Sequence, residues 1–372
     1  MGSFTKAKLA LSSLVIASLM PISPVQADSI DLKIRTVDIA STQVEGGRGA
    51  ALAILKDGAL LLAGGERGDT LFQYRNDELV SAGKILQQSE RIRDSRFGPT
   101  DIGILSETSK RAQLLISYPQ LDQKRNCVRL VVFRYTLNRA DLALTKNERW
   151  FQGKPCVPLG AVQHAAGRIE VIDSKSAYLT TGDLGSRRID DRTFRQWLGG
   201  VFVITAKKVS QISSGHRNPQ GILLSGSELY ISEHGPRGGD ELNLIKQGKD
   251  YGWPFVTYGA PYGPGDYIKP NRTGTHIGYE EPIYQWTPSV APTELVKIPN
   301  TPQWQSFQGY LVMGTLAAQS LVFIQLTSPS RVGKVIQESV GERIRDLEVA
   351  PDGQLVGTTD SGALLFITLN SN

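Results

Sequence analysis

The sequence has little cysteine and no cluster of basic residues. Cys127 and Cys156 are the two cysteines among 372 residues, and no C-x-x-C spacing is present. A thiol redox motif is therefore excluded. Lysine and arginine number 41 against 36 acidic residues, but no basic run is interleaved with aromatic residues as a nucleic-acid groove requires. The formal net charge of +5 is better explained by solubility than by nucleic-acid binding.

Long apolar runs are also missing after residue 27, so no later segment is predicted to cross a membrane. Before that point, two lysines precede an apolar stretch from Leu9 to Met20, and Val25-Gln26-Ala27 resembles a signal-peptidase site. The stretch is short and two prolines follow it, which favours a cleaved signal peptide over a retained anchor. We therefore expect residues 1–27 to be a signal peptide, residues 28–372 to be one domain, and the protein to be periplasmic or secreted.

The expected export decides how the two cysteines are interpreted. In an oxidising compartment a pair of cysteines usually forms a disulfide. We therefore expect a bond between Cys127 and Cys156 that joins neighbouring strands and has no catalytic role.

The pattern of apolar residues indicates β-strands rather than helices. Glycine (38) and proline (19) are frequent, and tight turns such as Asp57-Gly58 separate short apolar runs. Six closing runs recur at intervals of about 40 to 75 residues, which suits four-stranded blades and leaves little room for crossover helices. The predicted fold class is all-β, a six-bladed β-propeller whose last blade is completed by an early strand, Leu32 to Ile39. The six runs are Leu71 to Tyr74, Leu130 to Tyr135, Val201 to Ile204, Leu242 to Ile245, Leu321 to Leu326 and Leu364 to Leu369.

The segment from Gly215 to Gly259 is the densest in groups that bind polar ligands. Arg217 offers a fixed cation, and Asn218 and Gln220 can donate and accept hydrogen bonds, which suits an anionic ligand rich in carbonyl groups. Sharp glycine turns at 235–239 expose carbonyl oxygens beside Asp240 and Glu241, and such hard oxygen ligands suit Ca²⁺. From composition alone, a glycine-rich turn with solvated acids explains the same pattern.

Three strings in this segment, GHRNPQG, SEHGPRGGDELN and YGWP, resemble the soluble aldose sugar dehydrogenases that depend on pyrroloquinoline quinone (PQQ), the glucose/sorbosone dehydrogenase family of six-bladed propellers. The resemblance continues upstream in QHAAGRIEV and LTTGDLG. It continues downstream in WTPSVAPT and GERIRDLEVAPDGQL, so that it covers roughly residues 160 to 360.

The resemblance implies a role for individual residues. His164 matches the catalytic histidine, which takes the proton of the anomeric hydroxyl while hydride leaves for the quinone, a task that suits a neutral imidazole. Arg168 and Asp183 are candidates to support it, or form structural ion pairs. Trp286 is a candidate to cover the cofactor plane, or a core aromatic. The implied PQQ contacts are Arg217, Asn218, Gln220, Tyr262, Arg343 and Arg345. The implied Ca²⁺ ligands are Gly235 and Pro236 at the quinone, and Glu241 and Tyr251 at a second, structural site.

The sequence departs from the family at two positions. Where the family carries a lysine that contacts the quinone, the string GTLAAQ places Ala317. Where it carries an upstream glutamine, the nearest counterpart reads FGPTDIGIL. Loss of one ligand cation is expected to weaken PQQ binding by about 1 to 3 kcal/mol.

Three functions fit these observations. The favoured one is PQQ- and Ca²⁺-dependent oxidation of an aldose sugar, with electrons passed to an external acceptor. For this function the protein is expected to be a monomer or homodimer. The second is a calcium-stabilised propeller that binds a glycan or protein without chemistry, against which the retained His164 and arginines argue. The third is a calcium-dependent lactone hydrolase, for which the sequence lacks a convincing ring of channel carboxylates.

Overall fold

The computed structural model describes residues 29–92, 94, 97–159 and 164–370. The predicted signal peptide and its cleavage site lie outside these residues. Regular structure in the described part is dominated by strands, accompanied by one four-residue helix, α1 (Arg192–Arg195), and by short 3-10 turns that include Ala40–Thr42, Gln88–Glu90 and Pro302–Phe307. No helix in the described ranges is long and apolar enough to cross a membrane.

The strands form six antiparallel sheets, which are the blades of a β-propeller. Blade 1 contains β2 (Ala51–Ile54), β3 (Leu60–Gly64), β4 (Thr70–Arg75) and β5 (Glu78–Lys84). Blade 2 contains β6 (Asp101–Glu107), β7 (Arg111–Asp122), β8 (Cys127–Asn138), β9 (Leu144–Gln152) and β10 (Val157–Pro158). Blade 3 contains β11 (Ala166–Asp173), β12 (Ser176–Thr181), β13 (Gly200–Ile204) and β14 (Val209–Ser214). Blade 4 contains β15 (Pro219–Ser225), β16 (Glu228–Glu233), β17 (Asp240–Leu244) and β20 (Tyr284–Trp286). Blade 5 contains β21 (Pro292–Lys297), β22 (Leu311–Thr315), β23 (Ser320–Ser328) and β24 (Arg331–Ser339). Blade 6 contains β25 (Ile344–Val349), β26 (Leu355–Thr359), β27 (Ala363–Leu369) and β1 (Leu32–Asp38). Between β17 and β20, the short strands β18 (Val256–Thr257) and β19 (Arg272–Thr273) pair in parallel.

The ring of blades is closed in two ways. The first strands of the blades, β2, β6, β11, β15, β21 and β25, contact one another in turn around the axis. In addition, β1 pairs with β27 in a continuous register from Leu32↔Leu369 to Asp38↔Ala363. The predicted all-β, six-bladed fold and its closure by an early strand are therefore confirmed. The six closing runs coincide with the third strand of each blade.

Apolar side chains fill the space between successive blades. Leu61 of blade 1 belongs to the same buried cluster as Ile116 and Tyr135 of blade 2. The Tyr135 hydroxyl donates to the carbonyl oxygen of Ile85 at 2.6 Å, so this polar atom is satisfied inside the apolar layer. Each blade is thus held against its neighbours, and the loops at the ends of the blades have a rigid support.

The two cysteines form the predicted disulfide. Cys127 is the first residue of β8, and Cys156 immediately precedes β10, which pairs with the same end of β8. The Cα atoms lie 5.5 Å apart, within the range of an ordinary bridge. The bond therefore secures the segment that leads toward His164.

Acidic side chains on the inner strands connect neighbouring blades along the channel. A carboxylate oxygen of Asp101 accepts from the Ile169 amide at 2.6 Å, and one of Asp346 accepts from the Leu52 amide at 2.8 Å. Glu294 receives the Ile222 amide in the same way. The expectation that the chain lacks a convincing ring of channel carboxylates is therefore wrong. These acids stand far apart in the sequence, on separate inner strands that the fold brings together around the axis.

Arg168 fills the centre of this ring. Its side chain is 2% exposed, and Nη1 lies 2.9 Å from Asp346 Oδ1 and 3.2 Å from Glu294 Oε2. Its Nε donates to the Gln220 carbonyl and its Nη2 to the Arg345 carbonyl. Arg168 is therefore a structural ion-pair residue that joins several blades, and of the two interpretations from the sequence this is the one its contacts support.

Candidate active site

His164 lies at the mouth of the channel, two residues before β11. Its φ is 56°, a left-handed conformation that residues other than glycine rarely adopt. Gly182 makes this possible, since a Cβ at that position would lie 1.8 Å from the His164 carbonyl oxygen. The same carbonyl accepts from the Leu184 amide at 3.3 Å. The loop after β12 therefore holds the backbone of His164 in its unusual conformation.

Asp183 sets the orientation of the His164 ring. The Nδ1 atom of His164 lies 2.9 Å from Asp183 Oδ1. Asp183 is fully buried and also accepts from the Trp253 indole at 2.8 Å, the Tyr267 hydroxyl and the Gly185 amide. A carboxylate surrounded by donors is an acceptor only, so the imidazole proton is assigned to Nδ1. The Nε2 atom consequently keeps a free lone pair for a proton from a ligand.

The charges around this pair favour a neutral imidazole beside an ionised carboxylate. Burial and the nearby Arg217 guanidinium lower the pKa of His164, although Asp183 opposes them. Burial alone would raise the pKa of Asp183, but His164, Arg217 and Tyr267 together hold it below its ordinary value. The unit is therefore prepared to accept a proton near pH 7.

A cavity of about 400 Å³ opens in front of His164. Its wall carries three guanidiniums, from Arg48, Arg343 and Arg345, and one carboxylate, from Asp360. Amide and imidazole groups complete the polar part of the lining, and Phe97 and Leu316 contribute apolar surface. The excess of positive charge suits an anionic ligand.

Arg343 and Arg345 stand on one wall of the cavity, as expected from their alternate positions. Arg345 donates to both oxygens of Asp360, at 2.9 and 2.8 Å, and Arg343 donates to the second oxygen at 3.1 Å. Arg343 also donates to the Leu316 carbonyl at 3.2 Å. Asp360 thus fixes both guanidiniums while neutralising only one positive charge between them.

Of the predicted PQQ contacts from the GHRNPQG string, two line the cavity and one does not. Asn218 and Gln220 line it and are joined by a hydrogen bond of 3.3 Å from Gln220 Nε2 to Asn218 Oδ1. Arg217 points behind the cavity wall, where its Nη1 donates to the Gly235 carbonyl at 2.5 Å and its guanidinium lies 5.3 Å from the Trp253 ring centre. Arg217 therefore acts on the cavity mainly through its charge near His164.

Two predicted aromatic contacts lie away from the cavity. Tyr262 is 62% exposed. Tyr267, five residues later, donates to Asp183 and packs against the His164 ring in a tilted arrangement, with 5.7 Å between the ring centroids. Trp286 is buried in an apolar cluster against Tyr284, so it is a core aromatic.

The predicted calcium ligands are engaged by the protein's own groups. The Gly235 carbonyl accepts from Arg217, and Glu241 is bound by His276 at 2.8 Å and by the Asn243 amide at 3.1 Å. The Tyr251 hydroxyl donates to the Leu244 carbonyl and accepts from the Lys246 amide. Pro236 lies beside Gly235 in the same small cavity as Glu241 and Tyr251. Because Arg217 and His276 contact the Gly235 and Glu241 oxygens, the present arrangement does not fit an open calcium site.

Other cavity residues were not predicted from the sequence. Arg48 and Asp360 come from the first and last blades and have no recognisable motif around them. His234 lies within the SEHGPRGGDELN string, but no functional role was predicted for it. It lines the cavity, where its Nε2 contacts the Pro292 carbonyl at 2.7 Å. Its position in that string was the one signal that could have identified it.

Comparisons with known proteins match most of the described chain to one family. A model of the Glucose / Sorbosone dehydrogenase family matches residues 47–366. The aldose sugar dehydrogenase of Escherichia coli is 35% identical over 165 residues, 42% of this chain and 43% of that protein. This chain thus spans less than half the length of the curated relatives it matches.

Solved structures show the same fold. The apo-form of the soluble aldose sugar dehydrogenase from Escherichia coli superimposes with a TM-score of 0.74 at 23% identity, covering 91% of this chain and 100% of that chain. The PQQ-bound form of an aldose sugar dehydrogenase from Streptomyces coelicolor superimposes with a TM-score of 0.67 at 20% identity, covering 91% and 99%. At these identities the likeness concerns the fold alone.

Proposed function

The chain belongs to the glucose/sorbosone dehydrogenase family, and from this premise we propose that it oxidises aldose sugars with PQQ as cofactor. The observation that carries the proposal is the cavity in which the His164–Asp183 pair faces a wall of guanidiniums. A binding protein without chemistry has no need of a neutral imidazole with a free Nε2 in an anion-binding cavity.

The residues present fit a planar, multiply anionic quinone. Arg343 and Arg345 are held in place by Asp360, and Arg48 has a buried Nε with no hydrogen-bond partner in the described part of the chain. Asn218 and Gln220 offer amides for carbonyl or carboxylate oxygens. When bound, PQQ would supply the hydride acceptor.

In the proposed mechanism the protein's own contribution is proton transfer. Nε2 of His164 takes the proton of the anomeric hydroxyl, and the positive charge that forms on the ring is stabilised by Asp183 through Nδ1–H. Tyr267 and Trp253 keep the carboxylate oriented during this step. Burial of the pair keeps water away from the carboxylate.

The resemblance further predicts Ca²⁺, but no step of the proposal depends on it. Binding at Gly235 and Pro236 would require Arg217 to release the Gly235 carbonyl, and binding at Glu241 would require His276 to leave. An external electron acceptor and a periplasmic or secreted location are part of the proposal. The carboxylates that a calcium-dependent lactone hydrolase would need are bound by Arg168.

The proposal is tested by titrating the purified protein with PQQ, with and without Ca²⁺, and then adding an aldose with an artificial electron acceptor. We expect saturable PQQ binding, followed by a change in quinone absorbance and turnover when the sugar is added. Binding without turnover of any aldose would favour the non-catalytic propeller. Absence of binding under both conditions would contradict the proposal.

A further inference from the structure

Arg48 is a cavity residue that lies outside every motif described above. It precedes β2, and its backbone carbonyl accepts from the Val44 amide at 2.9 Å, which closes a tight turn at the rim of blade 1. Its guanidinium lines the same cavity as His164, Arg343 and Arg345. The backbone of this turn therefore places the Arg48 side chain at the cavity.

The guanidinium of Arg48 has no acceptor among the residues that the structure describes. Within the described ranges it donates no hydrogen bond and forms no ion pair, and its Nε is buried without a partner. The Asp360 carboxylate, which lines the same cavity, already accepts from Arg343, Arg345 and the Gly49 amide. A buried donor without an acceptor is costly to a folded protein, so such a group indicates a ligand.

Arg48 is nevertheless a cation at neutral pH. Burial lowers its pKa to about 9, and the positive charges of Arg345 and Arg168 act in the same direction. The carboxylates of Asp360 and Asp346 oppose this lowering. An anion that entered the cavity would relieve the repulsion among these arginines as well as satisfy the free donors.

The loop after β22 carries no cation of its own at the cavity. It contributes Leu316 to the lining, and the Leu316 carbonyl accepts from Arg343, while Ala317 is exposed and carries no charge. The sequence therefore has no positive side chain where its family usually places a lysine, and blade 1 contributes Arg48 to the same cavity.

We propose that Arg48 is a cofactor-binding residue that donates hydrogen bonds to an anionic oxygen of PQQ and supplies the positive charge missing at Ala317. The inference rests on the proposed function, because it takes PQQ to be the anion in the cavity. It adds a binding residue from the first blade to those of the central motifs.

The test is calorimetric titration of PQQ into wild-type protein, Arg48→Gln, Arg48→Lys and the control Arg331→Gln, which removes an exposed arginine of β24. Arg48→Gln should weaken binding by about 10- to 100-fold, since a charge-assisted hydrogen bond is lost. Arg48→Lys should keep binding within about tenfold of wild type because the charge remains. Arg331→Gln should bind as wild type does.

Thermal melting of the ligand-free proteins separates ligand binding from a structural role. Because its side chain has no protein acceptor in the described residues, Arg48→Gln should melt at or above the wild-type temperature. A clear loss of stability in both Arg48 variants would assign Arg48 a structural role and overturn the inference. Equal PQQ affinity of Arg48→Gln and wild type would overturn it too, while leaving the proposed function standing. Wild-type protein that binds no PQQ would reject the proposed function, and this inference with it.

Discussion

At the scale of single residues, the chemistry depends on a histidine whose proton is placed by its surroundings. The Asp183 carboxylate accepts four hydrogen bonds. Because these bonds stabilise the ionised carboxylate, the proton stays on Nδ1 of His164. The left-handed backbone of His164 aims the ring at this carboxylate, and Gly182 permits that backbone. The neighbours of His164 thus determine which ring nitrogen can act as the base.

Replacing His164 should separate binding from turnover. In His164→Ala, the arginines of the cavity still hold the anionic quinone, so PQQ affinity should remain near that of wild type. Turnover should fall by about 10²- to 10⁴-fold, the usual contribution of a general base. Calorimetric titration and steady-state assays with an artificial electron acceptor measure the two effects.

Asp183→Asn provides the matched comparison. The amide no longer accepts every donor and favours the wrong tautomer of His164, so turnover should fall without loss of PQQ binding. Because both residues act as one unit, the double variant should lose no more than His164→Ala alone. Losses that multiply in the double variant would show that Asp183 acts independently of His164.

At the scale of elements, the disulfide and the 235–241 segment show two ways of fixing loops beside the site. The disulfide joins β8 to the segment that precedes His164. The 235–241 segment is fixed by Asp240, whose two carboxylate oxygens accept from the Gly235, Val290 and Ala291 amides and from Ser289. One loop depends on a covalent bond and the other on a buried carboxylate.

The double substitution Cys127→Ser/Cys156→Ser should lower the free energy of unfolding by about 2 to 4 kcal/mol, because the bridge closes a segment with a sequence separation of 29 in the unfolded chain. Urea denaturation of oxidised wild type, reduced wild type and the variant measures the effect. Reduced wild type is the control and should match the variant. Unchanged stability in both would mean that the bond contributes nothing to folding.

Metal removal tests how the 235–241 segment is held. Burial alone would lower the pKa of His276, but its contact with Glu241 at 2.8 Å raises it. With Arg217 at the Gly235 carbonyl and His276 at Glu241, the oxygens of this region already have partners from the protein. We therefore expect a chelator to leave the melting temperature of the ligand-free protein within about 2 °C of its original value. A larger fall would establish that calcium displaces these side chains, as the resemblance predicts.

Strands could be predicted where the sequence alternates or runs apolar, and not where pairing is irregular. The third strands of all six blades were predicted, and so was β1. The outer strand β9 was not, because its sequence LTKNERWFQ is largely polar and its pairing with β8 is interrupted by two irregularities. An exposed, bulged edge strand has neither of the periodicities on which prediction relies.

At the scale of the whole molecule, the site exists because the ring closes. Arg48 belongs to blade 1 and Asp360 to blade 6, yet Asp360 accepts from the Gly49 amide at 3.1 Å. The motif residues His164, Asn218 and Arg345 could be predicted because each stands in a recognisable string. Arg48 and Asp360 could not, since their proximity follows from the pairing of the chain's two ends and from no local pattern.

Glu170, a carboxyl group on the inner strand β11, predicts an unusual dependence of the free energy of unfolding on pH. Burial and the charge of Asp101 raise the pKa of Glu170 to about 7, although the Leu224 amide opposes them. A carboxyl with a raised pKa in the folded state stabilises the protein below the ordinary pKa of glutamate, and that contribution is lost as the pH rises toward 7. Glutamine mimics the protonated carboxyl at every pH. Relative to wild type, Glu170→Gln should therefore be neutral near pH 4 and more stable by about 1 to 2 kcal/mol at pH 8.

Glu148 supplies a control of opposite sign for this prediction. Burial alone would raise the pKa of Glu148, but hydrogen bonds from its own backbone amide and from Trp150, together with Arg134, lower it. Its contribution to stability is therefore present above the ordinary pKa of glutamate and lost below it, so Glu148→Gln should give no gain at pH 8. Urea denaturation of the three proteins at intervals between pH 4 and 8 measures both differences. A difference between Glu170→Gln and wild type that stays constant across this range would mean that folding leaves the pKa of Glu170 unchanged, and would contradict the prediction.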